Sequence, residues 1–155
     1  MKKVTFYLVA LLLTSTLYGQ QNVFSLSDLE KQGISLKHLD SLYKGVPSKD
    51  TIHPVFNKQY FDTVVHVAFS EFIENVNKYL VNHGVKLGWP IHCINLVYCN
   101  SSGKIDYYVY IFEGIIGTEI ELKFKNLISE FISNYKFQVV ASENFYFIKP
   151  VDYSD

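Results

Sequence analysis

The chain has 155 residues and a formal net charge of -1, with 14 Lys and Arg residues against 15 Asp and Glu residues. Nucleic-acid binding usually needs a strongly basic face. The lysines here are scattered among acidic residues, so the composition argues against a nucleic-acid partner. The length suits one domain with a hydrophobic core, or a small domain with an extension.

Residues 1–20 have the pattern of an export signal. Lys2 and Lys3 precede a nearly continuous apolar run at residues 4–13, and small and polar residues follow at residues 15–20. This order is typical of a secretory signal peptide, whereas the alternative, an uncleaved anchor, would need about 20 apolar residues. We therefore predict a signal peptide at residues 1–20, a periplasmic or extracellular mature chain, and no stable membrane span after cleavage.

Residues 21–66 are predicted to form a helical N-terminal arm and a linker. Ser27 and Glu30 have the spacing of a helix capping box, and Ser35 precedes an apolar stripe with a helical period. Residues 46–65 contain prolines and no sustained period, which indicates a linker or an extended pass over the surface. Helices this short are unstable alone, so the arm either docks on the main domain or is mobile.

An amphipathic helix and a β-hairpin begin the main domain, which we place at residues 67–155. Apolar residues between positions 69 and 80 recur on one side of a helix. At residues 91–112, two runs rich in β-branched and aromatic residues are joined by a turn that contains Gly103. This pattern predicts a hairpin.

A second amphipathic helix is predicted at residues 119–135, where Thr118 and Glu121 again have capping-box spacing. Residues 137–140 and 145–148 are β-like, so the chain ends in one bent strand or in a second hairpin. The sequence therefore predicts an α+β fold. It consists of a small antiparallel sheet of three or four strands with two amphipathic helices on one face, preceded by the short helical arm.

Residues 72–153 resemble the C-terminal domain of TonB-type energy transducers. The segment FIENVNKYL resembles the family's helix before the sheet, and INLVYCNSSGKIDYYVYIF resembles its first strand pair. The segment ELKFKNLISEF and the final strand follow in the same order. The matching positions in the turn are Asn100, Gly103, Lys104 and Ile105.

The chain also departs from the family pattern in three places. Tyr79 and Leu80 stand where the family commonly has Tyr-Pro at the end of the first helix, and residues 137–140 replace a Pro-bearing stretch after the second helix. No long Pro-rich linker follows the signal segment. The resemblance therefore implies the family's fold and binding mode, without its means of transmitting force from a membrane anchor.

In this family, the C-terminal domain pairs an edge strand with a short peptide of an outer-membrane transporter. The resemblance implies that this chain also binds a protein or peptide by strand addition at an exposed edge. We place the partner-binding edge in the terminal strand, at Phe145, Tyr146, Phe147 and Ile148. The alternative is that the N-terminal arm covers this edge, through residues 55–67, because sheet edges need protection.

The sequence contains no recognisable catalytic or metal-binding pattern. The five His residues lack the spacing of zinc ligands, and no nucleophile motif or phosphate-binding glycine loop occurs. Cys93 and Cys99 lie on one predicted strand, which separates them by ~20 Å and prevents a disulfide between them. We predict two buried free thiols, with metal ligation or an intermolecular bridge as alternatives, and no enzyme activity, catalytic residue, metal or cofactor.

The 12 Tyr and 12 Phe residues are too many for the interior of a small domain with alternating strands, so some rings are either exposed or buried beneath the arm. We expect an exported small protein- or peptide-binding module that pairs its edge strand with a partner of an outer-membrane transport system. The alternative is a structural or accessory subunit of an extracytoplasmic assembly, as part of an oligomer. A cysteine enzyme is a third hypothesis.

Overall fold

The computed structural model describes residues 22–47, 52–86 and 90–153. The predicted signal peptide lies outside the described residues, so it stays a prediction. Within the described ranges, no helix combines the length and the apolar character that a membrane crossing requires.

The described chain contains five strands and four helices. The elements are, in order, β1 (Val23–Ser25), α1 (Leu26–Lys31), α2 (Leu36–Leu42), β2 (Lys44–Gly45), α3, β3 (Ile91–Cys99), β4 (Ile105–Glu113), α4 (Thr118–Ser133) and β5 (Phe145–Tyr153). Helix α3 begins as Lys58–Tyr60, passes through a π-helical segment, Phe61–Val65, and continues as His66–Asn82.

The sheet is mixed and has the strand order β1-β4-β3-β5-β2. Its centre is antiparallel, with β3 between β4 and β5. The arm adds one parallel strand at each side, where Phe24 lies beside Val109 and Lys44 lies beside Phe145. The α+β class is confirmed, but the expected antiparallel sheet of three or four strands has two further, parallel strands. Segments of two and three residues are too short to show strand alternation in a sequence.

The hairpin turn between β3 and β4 depends on Asn100 and Gly103. The Asn100 Oδ1 atom accepts hydrogen bonds from the backbone N–H groups of Ser102 and Lys104, at 3.0 and 3.2 Å. Gly103 has a φ of 85°, a conformation that residues with a Cβ rarely adopt. The predicted hairpin is therefore confirmed.

Helices α3 and α4 cover one face of the sheet, which we call the core face. Each helix buries a stripe with helical period, and the two stripes meet the alternate inward residues of β3, β4 and β5. The largest buried side chains in this layer are Tyr108, Tyr110, Phe72, Phe124, Phe137 and Phe145. This layer confirms the predicted pair of amphipathic helices on one face.

Helix α3 begins earlier than the sequence indicates. Its N-terminus is capped by Asn57, whose Oδ1 accepts the backbone N–H of Tyr60 at 2.8 Å. The linker expected at residues 46–65 is thus helical from Lys58, and residues 66 and 67 lie within one continuous helix. A π-helical turn carries an extra residue. The apolar positions before residue 66 are therefore out of phase with the 3.6-residue period of the rest of the helix, and the sequence pattern does not reveal its first turns.

The caps of two helices also differ from expectation. Ser25, not Ser27, caps α1 by accepting the N–H of Asp28, because the chain leaves β1 directly into the helix. Gly117 is the N-cap of α4 and makes no side-chain hydrogen bond, so the capping box expected at Thr118 is not formed. The Ser35 cap of α2 is confirmed.

Helices α1 and α2 pack on the opposite face of the sheet, which we call the arm face. Leu29 and Leu39 are buried against Leu96, Tyr98 and Val109. Full burial of one such aliphatic side chain contributes about 1.5–3 kcal/mol, which explains how helices of six and seven residues persist. The arm is therefore docked, and burial beneath it accounts for part of the aromatic content.

The β-like run at residues 137–140 does not form a strand. Phe137 donates its backbone N–H to the carbonyl oxygen of Gly103 at 2.9 Å, and Ala141 donates to Ser101 at 3.0 Å. These bonds fix the segment beneath the hairpin turn, and the chain ends in the single strand β5 instead of a second hairpin.

Gly103 and Gly33 provide a matched pair for testing this turn. Both have positive φ, but a Cβ on Gly103 would lie 2.3 Å from the carbonyl oxygen of Phe137, whereas a Cβ on Gly33 meets nothing within 4 Å. We expect Gly33→Ala to cost about 1–2 kcal/mol of unfolding free energy through backbone strain alone. Gly103→Ala should cost about 2–5 kcal/mol, because overpacking is added. Urea unfolding measures both, and equal losses would contradict the close approach.

Candidate functional site

The first half of the predicted partner-binding edge is covered by the arm. Lys44 and Gly45 of β2 lie beside Phe145 and Tyr146 of β5. The backbone N–H of Val46 donates to the carbonyl oxygen of Tyr146 at 2.9 Å, and that of Lys44 donates to Asn144 at 3.0 Å. The carbonyl of Tyr146 therefore points away from β3 and towards the outer side of the sheet.

The rest of the β5 edge has no strand partner among the described residues. In a strand, the N–H and C=O of one residue point to the same side, and the side alternates along the chain. The backbone groups of Ile148 and Asp152 thus face outward like those of Tyr146. Pro150 occupies the outward position between them and offers only its carbonyl oxygen. A proline at such a position is typical of a protected edge strand.

The side chains of the four predicted edge residues lie in different environments. Phe145 and Phe147 are buried in the core face, with 0% and 4% of their surface exposed, while Ile148 is 53% exposed. The ring of Tyr146 stacks on Tyr98 at 5.0 Å between centroids, on the arm face. Only Ile148 combines an accessible side chain with outward backbone groups, so the candidate edge is best described as residues 148–152.

An ion pair marks the far end of this edge. His92 Nδ1 lies 2.6 Å from the Oδ1 atom of Asp152, and both side chains reach solvent. The hydrogen bond to the carboxylate raises the pKa of His92. This pair could not be predicted, because the two residues are sixty positions apart and only the β3–β5 register brings them together.

The N-terminal arm does cover part of the β5 edge, but with other residues than the expected segment 55–67. Residues 55 and 56 do not pair with β5; Val55 and Phe56 are buried in the core face, where the Phe56 ring meets Phe145 edge-on at 5.2 Å. The covering strand is β2, which lies before the expected segment. Short strands carry no pattern of their own, so the sequence could not locate it.

Two clefts open at the opposite side of the sheet, one at each end of β1. The arm cleft has a volume of about 410 Å³ and is lined by Asn22, Phe24, Gln32, Ile34, Tyr43, Lys104, Asp106 and Tyr107. The loop cleft measures about 330 Å³ and lies where β4 leads into α4, beside Ser25, Tyr110 and Glu121. Both clefts exist because β1 covers only three residues of the nine-residue strand β4.

A buried polar group lies in the core face beneath α4. Tyr108 donates its hydroxyl to the Oδ1 atom of Asn95 at 2.7 Å, and the Asn95 amide donates to the carbonyl oxygen of Lys149 at 3.2 Å. The Tyr153 hydroxyl is buried nearby without a satisfied hydrogen bond. Neither of the two clefts is lined by these three residues.

Both cysteines are buried and free, as the strand spacing predicts. Burial raises the pKa of Cys93 to about 12 and that of Cys99 well above its ordinary value. The reactive form of cysteine is the thiolate, and these thiols stay protonated at neutral pH. In the part of the chain that the structure describes, no three His, Cys, Asp or Glu side chains come together as a metal site.

The two thiols should therefore be inert in the folded protein. We expect neither Cys93 nor Cys99 to react with a maleimide probe at pH 7 in native buffer, and both to react in 6 M guanidinium. Intact mass spectrometry counts the labels. Native labelling of either residue at the rate of a free thiol would contradict the burial. The Cys93→Ser variant shows which of the two cysteines carries a label.

Comparison with known proteins yields no match: no protein-family model, no curated protein and no solved structure matches this chain. The resemblance to TonB-type C-terminal domains consequently rests on the matching residues alone and stays a prediction.

Proposed function

We propose that this chain is an exported binding module that adds a strand of a protein or peptide partner to the outer edge of β5. One observation carries the proposal. Strand β2 pairs with only two of the nine residues of β5, which leaves outward backbone groups from Ile148 onward without a strand partner among the described residues. Strand addition satisfies such groups through main-chain hydrogen bonds.

The backbone groups and side chains at the β5 edge restrict which partner strands can pair with it. The partner can exchange hydrogen bonds with Ile148 and Asp152, but it finds only an acceptor at Pro150. Since each hydrogen bond contributes about 0.5–1.5 kcal/mol, the short edge favours a modest, exchangeable interaction. The exposed side chain of Ile148 favours an apolar residue in the partner strand on the arm face.

The resemblance to TonB-type domains supports a narrower proposal. Members of that family pair an edge strand with a peptide of an outer-membrane transporter, and the β5 edge would serve the same role here. The second candidate, a structural subunit, would use the same edge to join copies of the chain. A stable dimer without any added peptide would favour this candidate.

Ile148→Pro is the sharpest test of strand addition. It removes an outward N–H and leaves the β3–β5 hydrogen bonds intact, whereas proline at the neighbouring Phe147 would break the sheet itself. We expect peptides selected against the original chain to bind Ile148→Pro about 10–100-fold more weakly, which corresponds to roughly 1.4–2.8 kcal/mol. Titration calorimetry with the selected peptides measures the change.

Ile148→Val is the matched control, because it keeps the N–H and an apolar β-branched side chain. It should bind the peptides within threefold of the original chain. Thermal unfolding establishes that both variants are folded. Unchanged peptide affinity in a folded Ile148→Pro protein would rule out pairing at this edge.

Export is testable separately from binding. Expressed with its full sequence in a Gram-negative host, the chain should appear outside the cytoplasm with residues 1–20 removed, as shown by the intact mass. Leu12→Arg places a charge in the apolar run and should retain the uncleaved chain in the cell. Lys3→Arg keeps the charge pattern and should be processed normally; uncleaved product from all three forms would contradict the signal peptide.

A further inference from the structure

The arm cleft is large enough for a small molecule. Its volume of about 410 Å³ lies within the ~300–1,000 Å³ typical of ligand pockets. It opens where the start of β4 extends past β1, between the edge of the sheet and the connection from α1 to α2. Because it lies at the opposite side of the sheet from β5, a ligand can bind there independently of the proposed strand addition.

One side of the arm cleft is aromatic. The rings of Phe24 and Tyr107 lie 6.2 Å apart between centroids, and Tyr43 meets Tyr107 edge-on at 6.3 Å. Phe24 and Tyr43 are themselves buried, at 4% and 7% exposure, so they form a fixed wall. Ile34 adds an aliphatic surface next to them. This wall suits an apolar side chain of a ligand.

The other side of the arm cleft carries two opposite charges. The carboxylate of Asp106 accepts the Tyr43 hydroxyl at 3.0 Å and approaches the Asn100 amide at 3.5 Å. Both donors are neutral, and no ion pair within the described chain neutralises this carboxylate. Lys104, two residues earlier, contributes the positive charge to the same lining.

The Tyr43 hydroxyl holds Asp106 in a defined orientation. Burial and the nearby carboxylate raise the pKa of Tyr43, so the phenol keeps its proton and remains a donor. The bond uses one carboxylate oxygen, Oδ2, and leaves lone pairs of the group available to a further donor. A preoriented carboxylate beside aromatic rings is the arrangement that proteins use to bind ammonium groups.

We propose that the arm cleft binds a zwitterionic ligand of amino-acid or dipeptide size that carries an apolar side chain. The ligand ammonium contacts Asp106, the ligand carboxylate contacts Lys104, and the side chain packs on Phe24 and Tyr107. A simple amine would meet repulsion from Lys104, and a simple carboxylic acid would meet repulsion from Asp106. The paired charges therefore select a ligand that carries both.

The probe set separates the two charges. L-phenylalanine and phenylalanyl-phenylalanine carry both, phenethylamine lacks the carboxylate, and N-acetyl-phenylalanine lacks the ammonium. Titration of the full chain by NMR, with Tyr43 and Tyr107 ring signals as reporters, measures each affinity. We expect at least one zwitterion to bind tenfold or more tightly than both singly charged probes. Equal binding of all four probes, or none by either zwitterion at 10 mM, would overturn the proposal.

Asp106→Asn and Lys104→Gln test the assigned contacts. Asn keeps an oxygen for the Tyr43 hydroxyl, so Asp106→Asn should fold and yet bind the zwitterion at least tenfold more weakly; Lys104→Gln should lose several-fold. Asp62→Asn removes an exposed carboxylate on α3 and is the matched control, with unchanged affinity.

Full zwitterion affinity in a folded Asp106→Asn protein would overturn the assignment. Ile148→Pro should leave zwitterion binding unchanged, which keeps this test separate from that of strand addition.

Discussion

The structure depends on one constraint: the three long antiparallel strands cannot by themselves bury their apolar faces or pair the backbone groups at their edges. They present two apolar faces and two edges with unpaired backbone groups, and α3 and α4 cover only one face. The arm covers the second face with α1 and α2 and pairs a short strand with part of each edge. Its stability in turn comes from this contact, because helices of that length do not persist alone.

Polar contacts tie the arm to each layer of the molecule. Lys125 of α4 reaches Asp28 of α1 at 2.8 Å around the β1 edge, and this bond lowers the pKa of Asp28. On the arm face, the Tyr98 hydroxyl donates to Asp40 at 3.1 Å. These bonds add directional contacts to the apolar burial that holds the arm on the sheet.

The central hairpin, α4 and the main part of α3 could be predicted, because each has a long periodic pattern that local physics determines. The edge strands could not, since Val23–Ser25 and Lys44–Gly45 become strands only through partners far away in sequence. The terminal strand is visible as a β-like run, yet the facing of Ile148 and the coverage of Tyr146 depend on register. The arm cleft could not be predicted from the sequence, because Tyr43 and Asp106 come together only when the arm docks on the sheet.

The parallel pairing of the arm has a consequence for the order of assembly. The arm is synthesised before its strand partners, because Tyr108 and Phe145 lie in the last-made half of the chain. Contacts between such distant residues form slowly, because loop closure must precede them. Strand β1 therefore waits for β4, and β2 waits longer, until β5 arrives. The pairing of β2 is a late step that needs nearly the whole chain.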